Sequence, residues 1–133
     1  MEDMAILVGV SKYAYTQSFP PLDGPPNDVR LFKDWLISPT GGGMNADDIH
    51  ILESPPELPS PLDPEETPPR TQDFDRLFKR LTVDPANDDF IRRSGRLYLY
   101  FSGHGFSERF DESVKAAIYA ANAMRSWPEN ICG

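Results

Sequence analysis

Residues 4–10, MAILVGV, form an unbroken apolar run rich in Ile, Leu and Val. Continuous rather than alternating hydrophobicity predicts a strand covered on both faces, as in a parallel sheet. Residues 11–24 read as a loop with aromatics and the pair Pro20-Pro21. In PPNDVRLFKDWL, Val29, Phe32 and Leu36 share one helical face, with Leu31 and Trp35 beside them. Pro26 precedes the predicted helix, and Asn27 or Asp28 is placed to cap its first turn. The helix should end near Ser38, before Pro39 and the flexible TGGG. DIHIL at 48–52 predicts a second strand. Residues 53–70 break the pattern, with seven of the fourteen prolines and five acidic residues. Proline removes backbone donors and little apolar surface is available to bury. An extended, mobile surface insertion within the domain is expected there.

Thr71 can cap a second helix carrying Phe74, Leu77, Phe78 and Leu81 on one face, supported by Asp75 and Lys79 at i,i+4. Residues 84–89 predict a turn, 89–93 one helical turn, and 96–101 a third strand. AAIYAA at 116–121 fits a short strand or a helical turn equally, and the stretch from Asn122 onward reads as irregular. No internal repeat is present. Strand, helix, strand, helix, strand predicts an α/β fold, a mainly parallel sheet with helices on its faces.

A chain of 133 residues suits one domain, and 39% hydrophobic residues mark it as globular. Thirteen basic against twenty-one acidic side chains give a net charge of −8, without a Lys/Arg cluster. Nucleic-acid binding rests on neutralising phosphates, so it is not expected. Cys132 is the only cysteine, which excludes an intramolecular disulfide and a Cys-rich zinc site. MEDMAILVGV lacks a basic region and a long enough apolar core for a signal peptide, and no run approaches the ~20 apolar residues of a membrane helix. A cytoplasmic protein with no membrane partner is expected.

The candidate chemistry lies in YFSGHGF, residues 100–106, where an apolar strand stops at a serine and His104 follows between Gly103 and Gly105. Catalytic groups of open α/β sheets gather at the carboxyl ends of strands. Histidine serves as a general base near neutral pH. Flanking glycines permit a sharp turn and expose N–H groups that can bind an oxyanion. A hydrogen-bonded turn histidine is the bland alternative. A phosphate-binding turn is a weaker one, because G-x-G-x-x-G is incomplete.

AILVGVSKY at 5–13, LDGPPNDVRLFKDWL at 22–36, DDIHIL at 47–52 and RLYLYFSGHG at 96–105 together resemble the N-terminal, large-subunit half of caspase-like cysteine peptidases (peptidase C14 type). The metacaspase and bacterial caspase-domain branch is the nearer likeness, and it covers most of residues 4–122. The resemblance implies a caspase-like three-layer domain, incomplete at its C-terminal side, and Cys–His amide-bond hydrolysis of a protein or peptide. It implies that His104 is the catalytic histidine, that the N–H of Gly105 helps bind the oxyanion, and that Asp28 attracts a basic P1 side chain. No cofactor is implied beyond the calcium used in parts of the branch. Asp47-Asp48 and Asp88-Asp89 lack the ligand spacing of a calcium loop, and nothing around His50 makes a metal site.

A histidine base needs a nucleophile. The family cysteine follows the histidine by roughly 50 residues, at the end of an apolar strand. Cys132 follows His104 by 28, after the polar RSWPEN. A packing residue or an exposed thiol is the expected role of Cys132, and Ser102 and Ser107 have no second base to support them. The chain is therefore expected to lack its nucleophile and, alone, to be inactive. It would be a fragment, a truncated gene product or half of an assembly with a complementary chain, leaving a sheet edge open or a face uncovered. The alternative is a non-catalytic caspase-like module that binds a protein partner.

Overall fold

The computed structural model describes residues 2–58, 63–91, 94–110, 113–123 and 131–132, with the backbone alone for 106–110, 113–116 and 131–132. Strand β1, Met4–Gly9, is buried along its whole length. Helix α1 spans Gly24–Ile37, strand β2 Ile49–Glu53, and helix α2 Thr71–Thr82. A two-stranded hairpin, β3 at Val83–Asp84 and β4 at Asp89–Phe90, precedes strand β5, Leu97–Ser102. Strands β6, Gly105–Phe110, β7, Ser113–Tyr119, and β8, Ile131–Cys132, follow, and two short 3-10 helices lie at Ala46–Asp48 and Pro64–Glu66.

The main sheet is parallel, in the order β2-β1-β5. Its central strand is the unbroken apolar one, because both of its faces are covered. On one face Ala5 and Leu7 pack with Val29 and Leu36 of α1, and Ile49, Ile51, Tyr98 and Tyr100 join them. On the other, Met4, Ile6 and Val8 pack with Phe74, Leu77 and Leu81 of α2. The result is the expected α/β arrangement of helix, sheet and helix in three layers.

Helix α1 begins earlier than predicted. Asp23 stands at its N-cap, and Pro25 and Pro26 fall in the first turn, where a missing N–H costs nothing. It ends at Ile37, as expected. The helix passes close over the end of β1: a Cβ on Gly9 would lie 2.8 Å from Val29 Cγ2. Helix α2 is closed at its start by Asp73, which accepts from the Arg70 backbone N–H at 2.7 Å and from its guanidinium at 3.0 and 3.1 Å. Thr71 is thus the first helical residue and not the cap.

The described ends of segment 53–70 are hydrogen-bonded to the rest of the domain. Ser54 Oγ accepts from the N–H groups of Ser11 and Lys12 at 3.1 Å, and Lys12 Nζ donates to the carbonyls of Pro55 and Pro56. Thr67 and Pro69 are buried, and the Pro69 carbonyl accepts from Ala121 at 2.9 Å. No helical turn forms at 89–91, because Asp84 and Asn87 side chains bond local N–H groups and turn the chain into a hairpin. Residues 92 and 93 of that expectation lie outside the described ones. AAIYAA contributes to β7, which pairs antiparallel with β6 and with β8. Ile131 and Cys132 of the expected irregular stretch are therefore in a strand, and residues 124–130 of it lie outside the described residues.

Candidate active site at the carboxyl ends of the strands

Parallel pairing in register brings the ends of β1 and β5 to one level, and the Val10 N–H donates to the Ser102 carbonyl at 2.9 Å. His104 stands two residues beyond β5. The intervening glycine is required by space. A Cβ on Gly103 would meet Tyr13 Oη at 2.7 Å and Phe101 Cζ at 2.9 Å. The close pass lets the His104 backbone N–H donate to Tyr13 Oη at 2.7 Å.

The imidazole lies against an aromatic wall from the loop after β1, with ring centroids 4.9 Å from Tyr13 and 6.0 Å from Phe19. Its Nε2 is 2.9 Å from the Pro20 carbonyl, which can only accept. Nε2 therefore carries the hydrogen, and in the neutral ring the lone pair is at Nδ1. Burial pushes the Tyr13 phenol up to about 12, against the opposing pull of the His104 N–H. Tyr13 is consequently neutral in the physiological range and serves as a fixed, uncharged prop.

Asp28 sits in the second turn of α1 and is not a cap, because the helix starts at Gly24. Its Oδ2 accepts from Ser102 Oγ at 2.7 Å. Asp28 opens onto a shallow cleft of about 280 Å³ walled by Leu31, Phe32, Trp35 and Tyr100. Phe32 stacks on Tyr100 at 4.7 Å and on Trp35 at 5.8 Å. The sequence marks Asp28 as a candidate but not this aromatic wall. Its signal was the helical spacing of Phe32 and Trp35, which reads as core.

Gly105 is exposed and opens β6. It pairs with Ile118, which pairs in turn with Cys132. Cys132 is thus two ladder steps from Gly105, roughly 10 Å at 4.7–4.9 Å per step. His50 lies on β2, away from this end. Among the described residues no three His, Cys, Asp or Glu side chains gather as metal ligands, and neither acidic pair offers such a set. No helix among them is long and apolar enough to cross a membrane.

No protein-family model matches the chain. Over 122 residues it is 27% identical to a protein of a Desulfuromonadales bacterium named as a probable protease. The similarity covers 89% of this chain and 14% of that protein, so the chain spans a small part of the relative's length.

Proposed function

We propose that this chain carries the histidine side of a caspase-like cysteine peptidase site that cleaves after basic residues. The observation that carries the reading is the hydrogen bond from His104 Nε2 to the Pro20 carbonyl. It leaves Nδ1 as the base, on a ring propped by Tyr13 and Phe19 at the end of β5. The relative's name supports proteolysis in general terms.

In this reading His104 Nδ1 takes the proton of a cysteine thiol. The thiolate attacks the scissile carbonyl carbon, and the N–H of Gly105 stabilises the oxyanion. The C–N bond breaks as His104 returns the proton to the leaving amine, and water then hydrolyses the thioester. The cleft at Asp28 suits Lys or Arg at P1: aromatic walls cover the aliphatic stem and the carboxylate receives the cationic head.

We assign the thiol to a strand laid along the outer edge of β5, not to Cys132. Among the described residues β5 pairs only with β1, so its other edge is open. A parallel neighbour there would end one ladder step from β5, whereas Cys132 is two steps from Gly105. The partner is thus a complementary segment or chain that supplies this strand.

The test uses the chain purified with whatever it carries from its source cells, an Arg-P1 fluorogenic peptide and an Arg-P1 thiol-directed covalent probe. Turnover with labelling of a cysteine other than Cys132, abolished by His104→Ala and kept in Cys132→Ala, is expected. Labelling confined to Cys132, with turnover lost in Cys132→Ala, overturns the assignment of the thiol. Absence of both turnover and labelling overturns the peptidase reading and leaves a non-catalytic module that binds a protein partner.

A further inference from the structure

The opposite edge of the sheet borders a groove of about 610 Å³ that runs between β2 and α2. All four residues 49–52 line it, although successive side chains of a strand point to opposite faces. A groove that touches every one of them follows the strand's edge, where backbone donors and acceptors lie. Among the described residues β2 pairs with β1 alone, so that edge has no strand beside it.

The other wall is one stripe of α2: Asp73, Arg76, Leu77 and Arg80, at i, i+3, i+4 and i+7. Leu77 is buried and forms the floor, while Arg76 and Arg80 are exposed. Asp73 is already bonded through both oxygens to Arg70. The wall therefore presents two guanidinium groups in a chain whose net charge is −8. Four residues of helix rise about 6 Å. Alternate residues of an extended chain are about 6.6 Å apart. The arginines thus match every second side chain of a strand lying in the groove.

We propose that the β2–α2 groove binds an extended peptide with acidic residues at alternate positions, which adds to the sheet as a strand on the outer edge of β2. Backbone hydrogen bonds to β2 supply affinity, and the carboxylates pair with Arg76 and Arg80. Pairing of two copies through β2 is disfavoured, since each would bring its own arginines to the same edge. The inference does not depend on the peptidase reading, and binding is measured without catalysis, so each can fail alone.

The probe is a fluorescein-labelled acetyl-Glu-Val-Glu-Val-Glu-Val-Glu-amide, followed by fluorescence anisotropy on the full chain. Saturable binding is expected, weakened at least tenfold by Arg76→Glu/Arg80→Glu and at least tenfold by N-methylation of alternate amides in the peptide. The charge-reversed variant should in turn bind the Lys-Val counterpart, which shows that it remains folded. Absence of saturable binding up to 1 mM (about 4 kcal/mol), equal binding of the Lys-Val peptide by the unaltered chain, or indifference to N-methylation overturns the proposal. So does a concentration-dependent dimer that the same substitutions dissociate, which would make a second copy the occupant.

Discussion

Ser102 donates its hydroxyl proton to Asp28 Oδ2 at 2.7 Å, across 74 positions of sequence. One residue ends the strand that leads to His104, and the other lies in the second turn of α1. The bond ties the helix to the strand end where the histidine emerges. Ser102→Ala should cost about 1 kcal/mol, below the ~1.5–3 kcal/mol usual for a bond to a charged group, because Asp28 is only half-buried and water replaces part of the loss. Urea unfolding should show a lower midpoint at unchanged slope. In a cycle with Asp28→Ala, the double variant should lose less than the two single losses added together. Simple additivity would show that the two side chains are not coupled.

Tyr13 predicts an alkaline limb of stability. Its folded pKa of about 12 lies above the ordinary value near 10. The stability it contributes is fully present below pH 10 and is lost as pH rises through 12. Tyr13→Phe should remove this limb. It should also cost about 1–3 kcal/mol at neutral pH, because the His104 N–H loses its acceptor. Urea unfolding between pH 8 and 11 checks both; an unchanged alkaline slope in the variant would refute the role given to the buried phenol.

Asp73 predicts the acid limb. The Arg70 guanidinium beside it, with the Arg70 backbone N–H, holds its carboxyl below the usual carboxylate range. Its stabilisation is present above pH 4 and lost as pH falls through the lowered folded value. Asp73→Ala should cost about 1 kcal/mol at pH 7, as for loss of a helix cap. The variant should also unfold less steeply with acid between pH 5 and 2. Thermal unfolding across that range is the measurement, and an unaltered acid profile would count against the Arg70–Asp73 pair as its source.

The sequence reveals what burial controls and hides what local polar bonding controls. Residues 4–10 announce β1 because both faces of that strand are covered, and His104 is legible because glycines flank it at a strand's end. The start of α1 is misread because Pro25 and Pro26 look like a break, when they fit a first turn that needs no N–H. The hairpin of β6 and β7 escapes because GFSERF has no clean period. The anchors of segment 53–70 are hydrogen bonds, from the Ser11 and Lys12 N–H groups to Ser54 Oγ and from the Ala121 N–H to the Pro69 carbonyl, which no hydropathy pattern expresses. Likewise Tyr13, Phe19 and Pro20 hold the His104 ring from a loop 84–91 positions away, a relationship that only the fold creates.

The two faces of β5 differ, and the difference predicts association. Tyr98 and Tyr100 pack beneath Phe32 and Trp35 of α1. Leu97 and Leu99, on the face toward α2, are 53% and 60% exposed. With the outer edge of β5 open among the described residues, two bare leucines flank unpaired backbone groups, a combination that favours pairing with another strand. Leu97→Lys/Leu99→Lys puts charges beside that edge and removes little buried area, so unfolding free energy should change by no more than about 1 kcal/mol. Sedimentation velocity over a concentration series should show reversible association of the unaltered chain and a monomer for the variant. If the variant associates equally, the contact lies elsewhere on the surface. If it stays monomeric, the exposed leucines beside the outer edge of β5 carry the association.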